Sequence, residues 1–100
     1  AKTVLIVCSD KKIAWTKENY STYEMDACIV ATHLMLEATN IGVGNIWIEM
    51  FDKEKLKEEF KLGDNIEPIC LISLGYVADD YIGNPLHNKR KDLKDIVEFI

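Results

Sequence analysis

The chain is 100 residues long and 48% hydrophobic, with five glycines and two prolines. That suits one globular domain or part of one and excludes collagen-like, linker-like and disordered classes. Seventeen acidic residues against twelve basic ones give a net charge of −5, which argues against nonspecific nucleic-acid binding, because that needs a basic stripe to displace counterions.

Thr3–Ser9 (TVLIVCS) is a continuous apolar, β-branched run, the pattern of a strand buried on both faces. It is too short to cross a membrane, as is every other apolar run. It also turns charged too soon to serve as a signal peptide, so a cytoplasmic, membrane-free protein is expected. Asp10–Glu24 is polar and without a clear period, and reads as loop or irregular turns. From Asp26, placed to cap a helix, Ala27, Cys28, Ile29, Val30, Ala31, Leu34, Met35, Leu36 and Ala38 follow over about four turns. Apolar residues cover nearly the whole circumference, so this helix is expected in the centre of an assembly. Gly42 and Gly44 supply its stop.

Asn45–Glu49 (NIWIE) reads as a short strand. Asp52 caps a short amphipathic helix, KEKLKEEF, with Phe51 and Leu56 spaced as a hydrophobic staple. Pro68–Tyr76 (PICLISLGY) is a second buried strand, Ala78–Asn88 a loop, and Lys91–Ile100 a short mixed segment with Leu93, Ile96, Val97 and Phe99. The order of elements alone suggests an α/β sandwich, with a small flavodoxin-like unit as the first candidate.

Isolated residues carry little chemistry. Cys8, Cys28 and Cys70 have neither CxxC nor zinc spacing and sit in apolar segments, as reduced packing cysteines do. Gly42-Val43-Gly44 ends a helix instead of opening one after a strand, so it is no dinucleotide fingerprint. Asp79-Asp80 are adjacent in a loop, where side chains diverge, and read as a solvated turn. His33 and His87 lack partner clusters. No catalytic triad and no metal set can be picked out.

One string is more specific. Asp26–Asp52, DACIVATHLMLEATNIGVGNIWIEMFD, resembles the flavin-dependent nitroreductase family, whose long buried helix is followed by G-L-G and then W-I-x-x-F-D. The matching residues are Asp26, Ala31, Leu36, Glu37, Ala38, Gly42-Val43-Gly44, Trp47-Ile48 and Phe51-Asp52. The likeness continues through Glu67-Pro68, Leu74-Gly75-Tyr76, His87–Lys91 and Leu93–Val97, and upstream through VLIVCSD and Trp15. It covers nearly the whole chain and is similar to the short clostridial-type members.

The resemblance implies an α+β fold: a mixed sheet, a long buried central helix and a C-terminal tail. Residues 1–100 then form a single domain that corresponds to the C-terminal half of a nitroreductase domain. The family's arginine- and serine-containing flavin-phosphate motif, and its asparagine-bearing segment facing the ring, belong to the N-terminal half and have no counterpart here. The implied protein is a homodimer with FMN at the subunit interface, taking electrons from NAD(P)H and reducing nitro compounds or quinones. The flavin supplies the chemistry, and the protein supplies position and a dry cleft. By the same resemblance, Trp47, Ile48, Glu49 and Met50 lie along the flavin ring, with the Glu49 backbone N–H directed at N5. Arg90 and Lys89 hold the phosphate, with His87 a weaker contact. Met50 departs from the glycine that many members carry. The alternative is a non-catalytic dimerisation or flavin-binding fragment of the same fold.

Overall fold

A computed structural model describes residues 1–100. Its elements are β1 (Thr3–Asp10), β2 (Thr16–Lys17), β3 (Tyr20–Ser21), α1 (Tyr23–Asn40), β4 (Gly44–Ile48), α2 (Lys53–Glu59) and β5 (Ile66–Gly75). Two short 3-10 turns follow, Pro85–Asn88 and Leu93–Asp95. The main sheet has the order β1-β5-β4, and both of its pairings are antiparallel. The α+β class holds, while the flavodoxin-like candidate fails because no two strands of the sheet run parallel. No helix is long and apolar enough to cross a membrane.

The middle strand holds the core. β5 contributes Pro68, Ile69, Cys70 and Ile72, all buried, whereas β1 is an edge strand whose Thr3 and Val4 are exposed and whose remainder is half-buried. The β-branched run Thr3–Ser9 therefore corrects to a half-covered edge. Its composition suits a covered strand, but within this chain nothing lies over its outer side. The register of β1 against β5 skips between Val7↔Cys70 and Cys8↔Pro68, leaving Ile69 as the extra residue. Pro68, which has no N–H to give to a ladder, is tolerated in a central strand because it adjoins this bulge.

α1 lies against the sheet through Ala27, Ala31 and Ala38, a stripe of small side chains that lets helix and sheet approach closely. Ala31, Cys70 and Ile72 form the fully buried centre, and Leu5, Val7, Leu34, Met35, Trp47 and Leu74 pack around them. The expected all-round burial of this helix is not met inside one chain. Met25, Ile29, Val30 and Leu36 on its other side are between 52% and 64% exposed.

The helix also begins earlier than Asp26. Thr22 is its N-cap residue, and the Thr22 hydroxyl donates to the Asp26 carboxylate at 2.8 Å, so Asp26 is a first-turn acceptor. Ahead of it, part of the segment expected as loop forms the β2–β3 hairpin, turned at Glu18 (φ 55°). There the Trp15 and Tyr20 rings meet edge to face at 6.3 Å between centroids.

At the other end of α1, Gly42 N–H donates to Thr39 O at 3.1 Å and Val43 N–H to Ala38 O at 2.8 Å. With Gly42 left-handed (φ 79°), these two bonds make a complete Schellman motif. The chain re-enters the sheet at Gly44, opposite Gly75. A Cβ at Gly44 would stand 2.9 Å from the Gly75 carbonyl oxygen. α2 is capped as its sequence demands, the Asp52 carboxylate accepting from Lys55 N–H at 3.0 Å.

From Tyr76 onward every residue is exposed. Every hydrogen bond and ion pair made by residues 78–100 ends within that same segment. Only seven residues of the chain are buried. The Cα radius of gyration is 17.0 Å, against about 13 Å for a closed domain of this length. The fold is an open half-shell with a tail running off it.

Candidate functional site

β4 places the first four candidate residues. Ile46, Trp47 and Ile48 pair with Ser73, Ile72 and Leu71 of β5, and the pairing stops there. Trp47 and Ile48 are half-buried, and the Trp47 side chain packs on the core. Glu49 and Met50 lie just past the strand and are exposed, Met50 at 95%. The backbone N–H groups of Glu49, Met50, Phe51 and Asp52 find no acceptor in the chain, and neither do those of Lys53 and Glu54 in the open first turn of α2. Six successive donors are therefore left without an acceptor in the chain where the sheet ends. Because unpaired donors take either water or a ligand, this run is where the body offers backbone donors to a bound group.

The start of β4 is fixed on the helix side by a single side chain. Asn45 Nδ2 donates to Thr39 Oγ1 at 3.0 Å and to Met35 O at 3.2 Å, with a longer contact to its neighbour Val43 O at 3.4 Å.

The structure does not join the other two candidates to this strand. Lys89 and Arg90 sit after the Pro85–Asn88 turn, both exposed. One terminal nitrogen of Arg90 donates to His87 O at 2.8 Å and Lys89 O at 2.9 Å. A guanidinium has five N–H donors, so this local clasp leaves the rest of the fork for an anion. The pieces suit a flavin in kind: free backbone donors and apolar surface for a ring at β4, and a basic group for a phosphate in the tail.

Cys8 and Cys70 offer no rival chemistry. Burial raises the pKa of Cys8 and of Cys70, helped by Glu67 at Cys8 and by Cys28, Glu49 and Cys8 at Cys70, which keeps these two as poorly nucleophilic thiols. An open cleft of about 310 Å³ lies between the end of β1 and the first turns of α1, lined by Cys8, Asp10, Ile13, Asp26 and Val30 among others. It is remote in sequence from both candidate segments. Asp10 at its rim has its pKa lowered, first by the hydrogen bond from Asn65 and then by the Lys12 N–H.

Comparison with known proteins decides the family. The profile of the nitroreductase family matches residues 1–76, from β1 through the end of β5. The chain belongs to the nitroreductase family. A nitroreductase family protein from Clostridium difficile 630 is 34% identical and superposes with a TM-score of 0.84 over 96% of this chain and 58% of its own. A Clostridium acetobutylicum protein named as an NADH oxidase is 28% identical, with a TM-score of 0.72 over 94% of this chain and 55% of its own. An Archaeoglobus fulgidus protein named as an NADH dehydrogenase/NAD(P)H nitroreductase is 27% identical over 84 residues, 80% of this chain and 47% of that protein. The chain thus spans about half the length of these relatives, and its half-shell is the nitroreductase fold over that half.

Two features were not foreseen: the Asn45 clasp, and the continuation of the free donors beyond Glu49. A polar residue opening an apolar strand was the available signal for the first. The second depends on where the β4–β5 register ends.

Proposed function

We propose that this chain is part of an FMN-dependent oxidoreductase of the nitroreductase family, a homodimer that reduces nitro compounds or quinones at the expense of NAD(P)H. The single observation that carries the reading is that Glu49, an exposed residue at the end of β4, has a backbone N–H with no acceptor in the chain. FMN, when bound, would supply the hydride and electron-transfer chemistry that no side chain of this chain provides. The Glu49 N–H would hold the flavin ring through an uncharged donor that no pH change removes. Trp47 contributes by bracing the strand from behind, Ile48 and Met50 offer apolar surface, and Arg90 with Lys89 grips the phosphate.

The homodimer reading rests on α1. Its outer side is largely apolar, and two of its polar side chains turn back onto the helix's own carbonyls. Thr32 Oγ1 donates to Cys28 O at 2.8 Å and His33 Nδ1 bonds Ile29 O at 2.9 Å. Such a face offers a second copy exposed apolar side chains to cover. The tail residues Leu93, Ile96 and Phe99, between 62% and 95% exposed, are further apolar surface for that contact.

A non-catalytic flavin-binding or dimerisation role is the second reading, favoured by the half-length match to relatives. One experiment separates them. The purified chain is weighed intact, titrated with FMN by flavin fluorescence, and assayed for NAD(P)H oxidation with a nitroaromatic or quinone. Flavin uptake with turnover supports the enzyme, uptake without turnover supports the binding role, and a colourless protein indifferent to FMN overturns the flavin reading.

A further inference from the structure

We infer that the Asn45 side-chain amide is a positioning residue, setting the direction in which β4 leaves the end of α1 and hence the place of the Glu49 N–H; this rests on the flavin reading above. An amide nitrogen has two hydrogens, and the two shortest contacts of Asn45 Nδ2 are both on α1: Thr39 Oγ1 and Met35 O. Thr39 commits its own proton to Met35 O at 3.0 Å, so its oxygen meets Asn45 as an acceptor. The opposite amide orientation would set an oxygen against the carbonyls of Met35 and Val43, so the network admits one orientation. On its other side the strand is pressed against β5, with no room for a Cβ at Gly44. β4 is thereby located at its origin by two unrelated constraints, and its antiparallel pairing with β5 carries that placement forward. Glu49 lies four residues beyond Asn45, about 13 Å along a strand, so a tilt of about 5° at the origin moves its N–H by about 1 Å. Displacements of that size are costly where a ligand atom must be met.

Two variants of the full chain test this. Asn45→Asp keeps the shape and replaces both donors by an anion facing carbonyl oxygens, and Thr39→Val removes the hydroxyl between helix and strand. Amide hydrogen exchange is followed in Gly44–Ile48 and, as internal reference, in β1 and the centre of β5. Expected in both variants is exchange faster by about fivefold to tenfold in Gly44–Ile48 alone, the effect of losing one or two hydrogen bonds, with FMN affinity weakened by a similar factor. Acceleration spread evenly over all three strands would overturn the inference by making Asn45 merely structural, and unchanged exchange in Gly44–Ile48 would overturn it outright. Wild-type chain that binds no FMN removes the flavin reading, while the exchange comparison still decides whether Asn45 holds the strand.

Discussion

The Lys57 ammonium stands 3.6 Å from the Glu67 carboxylate and ties α2 to the opening residues of β5, with both side chains more than four-fifths covered. Lys11, from the end of β1, meets the same carboxylate oxygen at 3.3 Å. One acid thus joins three elements. Burial alone would raise the Glu67 pKa, but the Lys11 hydrogen bond and the charges of Lys11, Lys57 and Lys53 outweigh it and bring it below the ordinary value. Such a carboxyl contributes stability that is complete above its ordinary pKa and is lost as pH falls through the folded value. Asp10 has the same sign. The urea midpoint of the chain is expected to hold at neutral pH and to fall from about pH 4.5 downward. Lys57→Met, which keeps the aliphatic stem, should cost about 1 kcal/mol at pH 7. That deficit should shrink once Glu67 is protonated, and an equal deficit at pH 7 and pH 3 would detach it from the ion pair.

Glu49→Pro is expected to separate folding from flavin binding. The Glu49 N–H makes no hydrogen bond in the chain, so its loss removes none from the fold. Ile48, being in a strand, already has the extended backbone that a following proline demands. The melting temperature should therefore stay near wild type while FMN binding and NADH-driven turnover are largely lost. Glu49→Gln, which keeps the amide, should retain both. A folded proline variant with wild-type flavin reduction would refute the assignment.

Arg90→Ala should weaken FMN by roughly 1.5–3 kcal/mol, the scale of a charged hydrogen bond, measured by fluorescence titration. The fold should be untouched, since the guanidinium bonds only to carbonyls of its own turn. Unchanged affinity would make Arg90 ordinary surface.

The outer side of α1 should govern assembly. Ile29 and Leu36 are 52% and 64% exposed in the single chain, so Ile29→Glu leaves the helix–sheet contact alone. Light scattering is expected to show a dimer or larger species for wild type and a smaller one for the variant, with helical circular dichroism unchanged. Wild type running as a monodisperse monomer at micromolar concentration would overturn the dimer.

Local signals were the readable ones. Asp52 and the KEKLKEE turn behind it contain their own cap, and α2 forms where its sequence places it. The hairpin at Thr16–Ser21 escaped because two-residue strands are too short to show a period. The start of α1 was misplaced because Thr22 and Asp26, four residues apart, are both residues that favour a helix N-terminus. Burial was the hardest to read. β1 and α1 have the composition of elements covered all round, but composition does not say what supplies the cover, and this chain supplies only about half of it. The ends of the site were legible only through family likeness. A free backbone donor leaves no mark on residue type, and nothing in HNKRK distinguishes a phosphate grip from a solvated basic turn.

The two glycines after α1 resist substitution for opposite reasons. Gly42 has open space around it and a φ of 79°, whereas Gly44 has a crowded Cβ position and no left-handed φ. At the first the obstacle is handedness, at the second it is volume. L-alanine should therefore fail at both, at a cost of about 1–2 kcal/mol at Gly42. The mirror-image residue tells them apart: D-alanine favours the left-handed region, so at Gly42 it should stabilise the chain by about 0.4–1 kcal/mol through a stiffer unfolded state. A change of chirality at one atom, with composition held constant, would show that the turn delivering Asn45 to its helix is chosen by backbone stereochemistry and not by packing.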